Sequence, residues 1–111
     1  MNHLNSVLIE GITVSVGQLS GSESRTAIVF FIESARYTRL DGTPQKEVAQ
    51  FEIHATNHLA ETVSERLESG RGVRIIGRLC QKHHGPEKGS TFVMAEHVEI
   101  KPVFVPKEDR P

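Results

Sequence analysis

Only one stretch of this chain carries helical spacing, and that single interruption limits the folds open to it. Asn57 is a good N-cap, Leu59, Val63 and Leu67 recur every four residues on one face, and Gly70 stands where a helix wants a left-handed terminator. The segments around it alternate as strands do. In the first, from Asn5 to Val16, Val7 and Ile9 share a face and Ile12, Val14 and Val16 extend the apolar pattern; Gly11 predicts a bulge or bend. Residues 17–24 are rich in Gly and Ser and read as a loop. Thr26 to Tyr37 is dense in β-branched and aromatic residues and forms the second strand. Ile28, Phe30 and Ile32 then share one face, with Val29, Phe31, Ala35 and Tyr37 on the other in the absence of a bulge. Asp41-Gly42 centres a turn that closes a hairpin.

The third strand runs from Glu47 to Ala55, and a change of phase between Val48 and Phe51 predicts a bulge there. After the helix, Val73 to Lys82 is the fourth strand, with Val73, Ile75 and Leu79 inward and Arg74, Arg78 and Lys82 outward. A turn-rich loop, 83–90, leads to the fifth strand, Thr91 to Ile100. The order is three strands, a helix, two strands. It predicts an all-β fold, a five-stranded oligonucleotide-binding (OB-fold) Greek-key barrel with one short helix between strands 3 and 4. An open α+β sheet is the rival. With 37% hydrophobic residues, the chain has too few to cover a flat sheet with a second layer of helices. Residues 1–102 are expected to form one domain, and 103–111, rich in proline and charge, a short flexible tail.

The formal net charge of −1 removes the simplest argument for a duplex binder, although a local basic groove depends on distribution rather than total. The lone Cys80 has no partner for an intramolecular bridge and suits a reducing compartment. No apolar run is long enough for a membrane span, and the N-terminus lacks a secretory pattern, so the expectation is cytoplasmic, without membrane attachment. The sequence has no P-loop, dinucleotide fingerprint or nucleophile elbow, and its histidines lack zinc-ligand spacing. Neither an enzyme nor a cofactor or metal is expected.

Five motifs, in order, carry a family resemblance. Asn5-x-Val7-x-Ile9-x-Gly11, Phe30-x-Ile32-x-Ser34-x-Arg36-Tyr37, Leu59-Ala60-Glu61 with Gly70, Val73-x-Ile75-x-Gly77-Arg78-Leu79, and Val93-x-Ala95-Glu96-His97-Val98 resemble bacterial single-stranded DNA-binding proteins. The resemblance runs from about Asn5 to Pro102. It implies an oligonucleotide-binding barrel that holds single strands without sequence preference, and a dimer or tetramer built through the first strand. Its stacking positions fall on Tyr37, on Gln50 (or Phe51 with a one-residue shift), on Thr56 and on His84; of these, Tyr37 is the aromatic clearly kept. The Asn and the Asp-Pro pair that follow Gly11 in the family are replaced by Ile12 and Val16-Gly17. The acidic, aromatic tail tip that recruits repair enzymes is absent from the residues ending at Pro111, so recruitment of that kind is not expected.

Single-strand binding needs cations that track phosphates and π-faces for unstacked bases. Arg74, Arg78 and Lys82, four apart on one strand face, join Arg36 and Arg39 beside Tyr37, Lys46 beyond the turn, and His83, His84 and Lys88 in the loop, in a discontinuous basic track. Phe51 is the remaining aromatic candidate, with a core or interface role as its alternative. The competing reading of the track is a solvated outer strand face. The competing reading of the chain is a barrel that has weakened or lost strand binding and serves as a protein-interaction subunit, as in a primosome.

Overall fold

Two strands dominate the protein because one tight turn lets them pair along their whole length. In the computed structural model, which describes residues 1–22 and 24–102, β3 (Arg25–Leu40) and β4 (Thr43–Thr56) form an unbroken antiparallel ladder from Ala27 opposite Thr56 to Leu40 opposite Thr43. Asp41 and Gly42 both take positive φ, 52° and 80°, the backbone that a two-residue hairpin turn requires. The expected bulge between Val48 and Phe51 is therefore absent. The apparent phase change arises because the distal hairpin leaves the barrel and is exposed on both faces, so burial no longer dictates polarity there.

The other strands are β1 (Val7–Val16), β2 (Ser20–Ser22), β5 (Gly72–Gln81) and β6 (Thr91–Ile100). β1 pairs with β5 over Val7–Ile12 and with β3 over Ile12–Val16; β5 pairs with β6, and β6 with β4 in parallel, so the five long strands close on themselves. The protein is an all-β oligonucleotide-binding barrel. The short β2, in the segment read as a loop, pairs only with the start of β3. The helix thus follows the fourth strand in the chain, not the third. The irregularity of β1 lies between Thr13 and Ser15 rather than at Gly11. Gly11 answers a different need: a Cβ there would lie 2.5 Å from the Glu33 carbonyl oxygen of β3.

The helix α1 (Asn57–Arg66) packs against β3, β4 and β6 and closes one end of the barrel. Thr56, not Asn57, is the N-cap; Asn57 turns the corner with φ 54°, which Asn tolerates well. Gly70 is left-handed as expected, but it lies beyond the C-cap Leu67 and donates its N–H to the Thr13 carbonyl at 2.8 Å. Ala60, Val63 and Leu67 join Ile28, Phe30, Ile32, Ile53, Ala55, Val73, Ile75, Val93 and Ala95 in one buried cluster. Burying a large aliphatic or Phe side chain contributes about 1.5–3 kcal/mol, which makes this cluster the main source of stability. Leu79 corrects the inward reading of β5. It is 51% exposed although it opposes the buried Val93, because among the described residues β5 has no strand on its β1 side beyond Gly77, which opposes Val7. The expected tail, 103–111, lies outside the described residues.

Candidate nucleic-acid interface

Residues directly opposed in an antiparallel pair project on the same side of the sheet, so the hairpin register assigns every side chain of β3 and β4 to a face. Tyr37 opposes Lys46 and Arg39 opposes Pro44, on the face that carries Phe31, Val48, Gln50, Glu52 and His54. This is the outer face, opposite Ile28, Phe30 and Ile32. Tyr37 is 74% exposed. Arg36 projects on the other side, opposite Glu47. Phe51 also lies on that other side, opposite the buried Ile32, and is partly exposed where the hairpin leaves the barrel. Tyr37 and Phe51 are therefore not brought together. Arg36, Arg39 and Lys46 form no ion pair among the described residues; the Arg39 guanidinium only reaches the Gly42 carbonyl, at 3.5 Å.

The cations of β5 are aligned as the alternation predicts, but each faces carboxylates. Arg74 lies 3.3 Å from Glu10 of β1 and 3.6 Å from Glu99 of β6. Arg78 lies 3.6 Å from Glu96. Lys82, one residue past the end of β5, bonds Glu52 at 2.9 Å and also Glu87 of the loop. The track is thus discontinuous in charge as well as in space. The pairs of Arg74 and Arg78 are half-exposed, so solvent and salt screen them and they stabilise the fold little. His84 and Lys88 are exposed on the 83–90 loop, whose base is held by backbone bonds from Lys82 to Ser90 and from Gly89 to Lys82.

These carboxylates set the local proton affinities. The hydrogen bond from Lys101, followed by the charge of Arg74, holds Glu10 below the usual carboxylate range. Partial burial pushes Glu52 upward, but hydrogen bonds from His54 and Lys82 outweigh it and leave the group lowered. Hydrogen bonds to Glu87 and Glu52 raise Lys82.

Sequence alternation did not reveal a ring pair on the outer face. His54 of β4 and Phe92 of β6 stack with centroids 3.9 Å apart and planes 21° apart. The outward phase of each was legible; their proximity was not, because it depends on the short parallel pairing that sets His54 opposite Met94. Among the described residues no cluster of His, Cys, Asp and Glu is suited to a metal, and no helix is long and apolar enough to cross a membrane.

Solved structures show the same barrel. The single-stranded DNA-binding protein of Thermus aquaticus superposes with a TM-score of 0.77 at 19% identity over 89% of this chain. The fold is that of the single-stranded DNA-binding proteins. This chain spans half of that Thermus chain (50%). A Plasmodium falciparum SSB in complex with ssDNA gives 0.74 at 15% identity, covering 90% of this chain and 95% of its own. The protein priB from Ralstonia solanacearum gives 0.69 at 11%, covering 89% and 100%. No protein-family model matches the sequence, and no curated protein is similar to it in sequence.

Proposed function

We propose that this chain is a divergent member of the single-stranded DNA-binding family: a cytoplasmic, non-catalytic homo-oligomer that holds unwound strands without sequence preference in replication, recombination and repair. The observation that carries the reading is the outer face of the β3–β4 hairpin. There a 74%-exposed Tyr37 stands beside Lys46 and Arg39, cations without an ion pair among the described residues. An exposed ring flanked by unneutralised positive charge suits a base platform with phosphate contacts. Arg36, on the opposite hairpin face, and Lys88 and His84, on the loop, extend the positive surface. Arg74, Arg78 and Lys82 contribute where phosphates displace their carboxylates, and Phe51 offers a ring on the far side of the hairpin.

The test is anisotropy of a labelled oligo-dT. Tyr37→Leu keeps an apolar strand residue and removes the π-face, so affinity is expected to fall about 5- to 150-fold. Undiminished affinity would move the contact off the hairpin. The ion-paired β5 cations favour a second reading, a protein-interaction barrel with weak or lost strand binding. It predicts no anisotropy change for the wild-type chain even at low salt.

A further inference from the structure

We infer that His54, Phe92 and Phe31 form a second base-stacking platform, on the barrel wall, with Lys82 as its phosphate contact. The inference rests on the single-strand-binding reading above and adds a site on the barrel wall, separate from Tyr37 at the distal end of the hairpin. Three strands supply the three rings: Phe31 from β3, His54 from β4 and Phe92 from β6. All three are on the outer face. The barrel interior behind them is already filled by Phe30, Ile53 and Val93, each no more than 2% exposed, so core closure does not account for the outer rings.

The local chemistry suits a nucleotide. Phe92 and His54 are stacked, His54 donates from Nε2 to Glu52 at 2.6 Å, and the same carboxylate accepts from Lys82. A partly exposed π-surface is therefore held within one carboxylate of an ammonium group. Phe31 directly opposes Glu52 and is 36% exposed, which continues the aromatic surface toward the hairpin. Tyr37 lies six residues further along the same face of β3, about 20 Å away at the rise of a strand. A single strand laid along this face would meet the wall platform first and the hairpin ring next. Its phosphate would take the place of Glu87 on Lys82, an exchange between one exposed anion and another.

Phe92→Leu keeps an apolar side chain on β6 and removes the ring. With labelled oligo-dT, the expected result is a loss of affinity of about 5- to 150-fold, while the thermal midpoint of the free protein stays close to wild type. A variant that binds as tightly as a binding wild-type chain overturns the platform and leaves the hairpin reading intact. A wild-type chain that does not bind overturns both. Photocrosslinking of iodouracil-substituted oligo-dT to the wild-type chain decides the matter even if the variant folds poorly. Crosslinks on Phe92, His54 or Phe31 are expected, and crosslinks confined to residues outside these three contradict the platform.

Discussion

Thr13 carries a buried hydroxyl, 2% exposed as a residue, with no hydrogen-bond partner among the described residues. Its backbone is fully engaged, donating to the Arg71 carbonyl and accepting from Gly70, both at 2.8 Å. Leaving the hydroxyl unpaired costs about 1–3 kcal/mol, and valine has nearly the same shape. Thr13→Val is therefore expected to stabilise the fold by about 1 kcal/mol, read as a higher urea midpoint at unchanged slope. Tyr37 was legible as an outer residue because β3 runs without a bulge from Ile28 to the turn. Phe51 was harder, since one step of register separates its face from that of Gln50, and only the ladder resolves the choice. Leu79 follows the inward parity but lies beyond the end of the β1–β5 pairing, which alternation alone does not locate.

The elements themselves were mostly legible, since five of the six strands and the helix write their period into the sequence. β2 was not, because Ser20, Gly21 and Ser22 have no side chains that mark a strand; only pairing with β3 makes them one. The hairpin also extends further than its apolar residues, held by ladder hydrogen bonds and a turn of the right hand. The neutralisation of β5 was hidden for a topological reason: Glu10, Glu99, Glu96 and Glu52 arrive from β1, β6 and β4, and none is near Arg74, Arg78 or Lys82 in the chain. The titration of Glu10, Glu52 and Lys82 sets the expected pH response. Glu10 and Glu52 are lowered in the folded protein, so their stabilisation is complete above the ordinary carboxylate range and is lost as pH falls through their lowered values. Lys82 is raised, so its contribution persists below the ordinary lysine range and is lost only as pH rises through the raised value. The urea midpoint is expected to hold steady around neutral pH and to fall in acid. Glu10→Gln is expected to flatten the acid limb, and an unchanged limb would assign the loss to other carboxylates.

At the scale of the whole molecule, barrel closure leaves the start of β1 with an open edge. Among the described residues Val7–Gly11 pairs with β5 on one side and with no strand on the other, while Leu8 and Ile12 are 69% and 53% exposed. An unpaired strand edge with apolar side chains is open to pairing with another chain, and the proposed homo-oligomer would use it. Light scattering is expected to give a mass of at least two 12.3 kDa chains. A mass of one chain would contradict association through β1. The central claim, that single strands lie on the hairpin face, can be read from the protein's own fluorescence. Tyr37 is the sole tyrosine and tryptophan is absent, so its emission reports a base placed on that ring. Oligo-dT titrated against this emission, alongside anisotropy of a labelled strand, is expected to quench it in step with the anisotropy rise. The affinity is expected to fall with salt at a log–log slope of about −0.7 per phosphate neutralised. An anisotropy rise without quenching, or no response in either signal at low salt, would contradict the account.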